Sequence, residues 1–144
     1  MRWLKASAPK EPLRERRPSH RRLKGLALLY LCLFGWILVL AYSGNLPSQL
    51  SAIPYYDKFG HVILYGVATY LGQRLFHRFT LHLGRYRLSM WVVVFSTWTF
   101  VEEGAQSFAP TRSLDAMDLV CSALGIGMGY WLAARELSRQ GNSS

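Results

Sequence analysis

Four apolar runs, separated by polar segments, organise the chain. The first, Gly25 to Tyr42 (GLALLYLCLFGWILVLAY), contains no charged residue. As a helix its eighteen residues reach about 27 Å, close to the roughly 30 Å of a bilayer's hydrocarbon core. It is longer than the ~7–15 residues of a secretory h-region, so an uncleaved spanning helix is expected over 25–42. The second run lies within Lys58 to Phe76 and is apolar from Val62 to Leu71 apart from Thr69. The third, Leu88 to Val101 (LSMWVVVFSTWTFV), is β-branched and aromatic, a composition that suits a strand in water. In a bilayer a lone strand leaves its backbone polar groups unsatisfied, which predicts a helix over 88–106. The fourth, Leu114 to Ala134, holds Gly125, Gly127 and Gly129. Gly125 and Gly129 share a helical face with Cys121 or Ser122 and with Ala133. Such a small-residue stripe lets another helix approach closely, and it is a candidate face for a homo-oligomer.

The expected fold is therefore all-α: a four-transmembrane-helix bundle over residues 25–134, with spans near 25–42, 58–76, 88–106 and 114–134. Composition agrees. Hydrophobic residues make up 51% of the chain and charged ones 17%, against about 25% charged in a soluble domain. Mean hydropathy is only +0.10 because residues 1–24 are polar, basic and interrupted by Pro9, Pro12 and Pro18. No apolar period runs through that arm, which reads as disordered and cytoplasmic. Residues 135–144 form a short cytoplasmic tail. Cys32 and Cys121 lie in apolar runs without a CxxC, and read as buried small side chains.

The net charge of +9 can signal nucleic acid, but its distribution has a topological explanation. Fifteen of the seventeen Lys and Arg fall in the N-terminal arm, the 74–87 segment and the tail, leaving Lys58 and Arg112 on the other side. Cationic loops stay in the cytoplasm. Both termini are thus expected inside a bacterial inner membrane, with the 43–57 and 107–114 loops outside. The partner implied is the lipid bilayer, not nucleic acid.

Five of the eight acidic residues lie on the expected outer side: Asp57, Glu102, Glu103, Asp115 and Asp118. A carboxylate at the bilayer centre costs roughly 2.5–3.5 kcal/mol on insertion scales, so such residues usually face the bundle interior and mark a site. Spacing favours convergence. Asp57, His61 and Tyr65 are four apart, Glu103 and Gln106 three apart, and Asp115, Asp118 and Ser122 again fall on one face. Glu102, His20, His77 and His82 read as solvated or interfacial. The ligand-binding candidates are Asp57, Lys58, His61, Glu103, Gln106, Arg112, Asp115 and Asp118, with Arg112 and Lys58 suited to an anion. The plainer alternative is structural: Arg112 with Asp118, and Glu103 with His61 or Lys58, as buried pairs that fix the bundle.

Three functions fit these residues. A non-enzymatic membrane protein would hold an anionic lipid or lipid-linked envelope precursor at its outer face. A membrane-embedded hydrolase or transferase would use His61 as acid or base with Glu103 or Asp118. An assembly subunit would dock through the Gly125/Gly129 face. One histidine among carboxylates suits Mg or Mn better than zinc, and no metal or cofactor is expected. Walker A, GxSxG and HExxH motifs do not occur. The binding role is the primary expectation.

Two segments carry a family resemblance. Asp57-Lys58-Phe59-Gly60-His61-(x3)-Tyr65 and Glu103-(x2)-Gln106-(x3)-Pro110-x-Arg112-(x2)-Asp115-(x2)-Asp118-(x6)-Gly125 resemble the VanZ-like family of small membrane proteins. The resemblance covers residues 25–134. Where the family often has Asn four residues after the last Asp, this chain has Ser122. The family takes its name from a protein associated with low-level teicoplanin resistance, and most members have no established biochemical activity. The resemblance implies four helices and a shared polar cluster, not a reaction.

Overall fold

The computed structural model describes residues 20–45, 47, 49, 53–84, 86–106, 108 and 115–141. Four helices make up most of them: α1 (His20–Tyr42), α2 (Tyr56–Phe76), α3 (Met90–Gln106) and α4 (Ala116–Gly141). Residues 1–19 of the basic arm, and Arg112 with the rest of the 109–114 segment, lie outside the described residues.

The observed elements correct three expected boundaries. Helix α1 begins at His20, so the last residues assigned to the arm are helical. Helix α4 continues past Ala134 to Gly141, because the added turns consist largely of good helix formers and Glu136 is held against α2. The largest correction falls between α2 and α3, where Thr80–Leu83 (β1) and Tyr86–Ser89 (β2) pair antiparallel. The register sets Leu81 opposite Leu88 and Leu83 opposite Tyr86, leaving a two-residue loop. Gly84 opens that loop with φ of 59°, a conformation tight hairpin turns need and glycine adopts freely. Leu88 and Ser89 thus belong to a strand, and the third helix starts at Met90. Cys32, read as buried, is exposed, and Cys121 is half-buried.

The most extensive helix contact is between α2 and α4, and it is built on absent side chains. Gly66 of α2 faces Gly125 and Gly129 of α4. A Cβ at Gly125 would come within 2.5 Å of the Val62 carbonyl oxygen, and one at Gly129 within 2.2 Å of the Gly66 carbonyl oxygen. The face expected to serve a homo-oligomer is therefore covered by α2 of the same chain. Phe34, Tyr65, Phe95 and Ile126 gather one residue from each helix into a small core, with Phe34 edge-on to Tyr65 at 5.4 Å. The Tyr30 hydroxyl donates to the Leu64 carbonyl at 2.6 Å, tying α1 to α2.

Burial is inverted relative to a water-soluble domain. Among the described residues six hydrophobic side chains are buried against nine polar or charged ones. Large apolar side chains are exposed on every helix, among them Leu29, Trp36, Ile63, Val101, Leu124 and Trp131. Polar groups inside and apolar groups outside is an arrangement that water penalises and hydrocarbon does not. Helices α1 and α4 are long and apolar enough to cross a membrane. The 17 residues of α3, and α2 with its polar ends, do not meet that measure alone.

Candidate functional site

The buried ionisable residues His61, Glu102, Glu103 and Asp118 gather at one end of the bundle, where α1 and α3 finish and α2 and α4 begin. Helix α2 brings Asp57, Lys58, His61 and Tyr65; α4 brings Asp118 and Ser122, with Asp115 just before it; α3 brings Glu102 and Glu103; α1 brings Tyr42.

Lys58 is the electrostatic hub. Its Nζ lies 2.7 Å from Asp115 Oδ2, 3.2 Å from Asp118 Oδ1 and 3.5 Å from Asp57 Oδ2. Lys58, expected to suit an anion, is thus already surrounded by three carboxylates. Asp115 has a second task. Its Oδ1 accepts the Met117 backbone N–H at 2.8 Å, which caps the first turn of α4. The Lys58 ammonium, helped by that N–H, holds the Asp115 carboxyl below the ordinary 3.8.

Deeper in, His61 Nδ1 shares a hydrogen bond of 2.9 Å with Ser122 Oγ. Its Nε2 stands 3.7 Å from Asp118 Oδ2. The His61 ring lies parallel to that of Tyr65, centroids 5.6 Å apart. The three residue types of a hydrolytic triad therefore meet. Yet Ser122 is 0% exposed, and a nucleophile must reach its substrate. In this arrangement Ser122 orients His61, and Asp118 links the imidazole to Lys58.

Glu102 is the residue that sequence reasoning misplaced. It is buried, not solvated. The Tyr65 hydroxyl donates to its Oε2 at 2.7 Å, and the Tyr42 hydroxyl to its Oε1 at 3.1 Å. Phe95, Thr99 and Glu102 are all buried and follow the i, i+4, i+7 rhythm of one helix face, which is the signal that identifies it. Glu103 is buried as expected, at 2% exposure. Gln106 closes α3, and its side chain, like the whole of Arg112, lies outside the described residues. His82 and His20 are exposed and His77 half-buried, away from this cluster. Among the described residues no three His, Cys, Asp or Glu are arranged to hold a metal ion.

Beside the cluster a groove of about 190 Å³ runs between α3 and α4 past Thr99, Leu119, Ala123 and Gly127. Thr99 sits one turn before Glu103, so the groove leads along α3 toward the carboxylates.

Comparison of the chain with protein-family models, curated proteins and solved structures finds no match.

Proposed function

We propose that the chain is a VanZ-like, four-span protein of a bacterial inner membrane, with both termini cytoplasmic, and that its outer-face polar cluster binds an anionic lipid-linked or envelope group without turning it over. The observation that carries this reading is a set of buried carboxylates, a histidine and tyrosines inside helices whose exteriors are apolar. Groups of that cost, kept in a membrane bundle, normally serve a site.

The charge balance refines which residues would do what. Three carboxylates, those of Asp57, Asp115 and Asp118, surround the Lys58 ammonium, and Glu102 and Glu103 are buried on α3. Anion binding therefore falls to Arg112 in the α3–α4 connection, whose planar guanidinium suits phosphate. The carboxylates suit hydroxyl or amino groups beside that phosphate. The groove along Thr99, Ala123 and Gly127 offers a lateral path for a lipid tail. The hydrolase or transferase alternative, with His61 as acid or base, draws on the contact of its Nε2 with Asp118 at 3.7 Å; a Ser122 nucleophile is not part of it, since that side chain is fully buried.

The test uses purified full-length protein in detergent and a polyprenyl phosphate as probe, read by native mass spectrometry. Wild type should retain the lipid and Arg112→Ala should lose at least tenfold in retention, with helix content unchanged by circular dichroism. Retention equal to wild type in a folded Arg112→Ala protein would overturn the reading.

A further inference from the structure

At the opposite end of the bundle, beside the hairpin, Phe76, Phe79, Met90, Trp91 and Val94 line a groove of about 340 Å³ with wholly apolar walls. It exists because Gly72 lets the Trp91 indole lie directly on α2; a Cβ there would stand 2.0 Å from Trp91 Cε2. Phe76 and Phe95 stack on Trp91 at 5.3 and 5.4 Å. The Met90 N–H donates to the Phe79 carbonyl at 3.0 Å, which braces the rim. The groove is thus built from stacked rings and backbone bonds.

The charge at this end is predominantly positive. Arg78 is exposed and lies in sequence between Phe76 and Phe79 of the wall, and exposed Arg21, Lys24 and Arg135 lie at the same end of α1 and α4. The acidic residue described there, Glu136, is bonded to Arg74 at 3.1 Å. An apolar slot next to a cationic rim complements a molecule with an acyl chain and an anionic head.

We infer that this groove seats an acyl chain of an anionic phospholipid, with Arg78 holding its phosphate. The inference rests on the membrane placement proposed above and is independent of the cluster at the other end. One basic side chain near an anionic headgroup corresponds to a preference of about fivefold.

Brominated lipids quench nearby indole fluorescence and provide the test. A variant retaining Trp91 alone (Trp3, Trp36, Trp98 and Trp131 each →Phe) is reconstituted in phosphatidylcholine vesicles. These carry equal fractions of brominated phosphatidylglycerol or brominated phosphatidylcholine. Brominated phosphatidylglycerol should associate at Trp91 about fivefold better, and Arg78→Gln should abolish that advantage. A variant retaining Trp36 alone, on the lipid-exposed face of α1, should show none. Because Trp98 stacks on Phe95, native mass spectrometry with the two lipids on the otherwise unaltered chain, with and without Arg78→Gln, gives the same comparison without tryptophan replacements. Equal quenching at Trp91, or a preference that survives Arg78→Gln in either measurement, overturns the inference. Failure of the protein to float with vesicles at all overturns the membrane placement instead, and Arg112→Ala should leave the phosphatidylglycerol preference intact.

Discussion

Glu102 and Asp115 differ in what their carboxylates hold, and the difference is measurable. Glu102 accepts hydroxyls from two other helices, α1 and α2, so Glu102→Ala strands the buried Tyr65 O–H and leaves Tyr42 only the backbone carbonyl of residue 102. A buried donor left unmade costs about 1–3 kcal/mol; the variant should unfold at lower denaturant, with Tyr65→Phe costing less than Glu102→Ala. Asp115 is linked to Lys58 and caps α4. Its carboxyl is held below the ordinary value by the Lys58 ammonium, in a group also containing Asp57, Asp118 and His61. A depressed carboxyl stabilises the fold above its unfolded pKa, and that contribution is lost as pH falls through its folded pKa. The advantage in Tm of wild type over Asp115→Asn should be constant down to about pH 5 and shrink below the ordinary carboxylate range. At neutral pH Asp115→Ala should melt below Asp115→Asn, because asparagine keeps the cap.

Among the elements, the α2–α4 pair depends on three glycines. Gly125→Ala and Gly129→Ala would each drive a methyl into α2 backbone, an overpacking cost of roughly 1–3 kcal/mol. Nothing lies within 4 Å of a Cβ at Gly127. Gly127→Ala should therefore be neutral or stabilising by up to about 1 kcal/mol through helix propensity. Thermal unfolding of the three variants in one detergent checks the contrast. The small-residue stripe was legible in the sequence as a close-packing face, but not its partner, since spacing within one helix carries no information about which neighbour fills it. The hairpin went unread, although Leu81, Leu83, Tyr86 and Leu88 alternate about Gly84. A period of two over so short a stretch is overridden when the flanking apolar run is read as one helix. Glu102 was missed because two adjacent carboxylates sit 100° apart on a helix and either can face inward. In the fold both face inward: Glu102 continues the buried rhythm of Phe95 and Thr99, and Glu103 stands one turn after Thr99.

For the whole molecule, inverted burial connects the four helices to a single environment. In the membrane placement proposed above, polar side chains at the centre and apolar ones outside require that each helix shield its neighbours' polar groups from hydrocarbon. The requirement is unequal. Helix α1 presents an almost uninterrupted apolar surface and α4 is apolar along much of its length, whereas α2 carries Asp57, Lys58, His61 and Arg74. Three of those four are partnered from α4 and the residue before it: Lys58 by Asp115 and Asp118, His61 by Ser122, Arg74 by Glu136. This has a consequence for biogenesis. In a chain delivered to the membrane in order of synthesis, α2 leaves the ribosome before its electrostatic complement exists. It should linger at the interface, or beside the insertion machinery, until α4 arrives. In a background without Cys32 and Cys121, a chain truncated after Phe108 should accordingly leave Thr69→Cys open to aqueous thiol reagents, and the full chain, in which position 69 is fully buried beside Gly129 of α4, should protect it. The glycine-lined seam between α2 and α4 is then the last joint to close during insertion, and the polar centre is completed only when the final helix is in place.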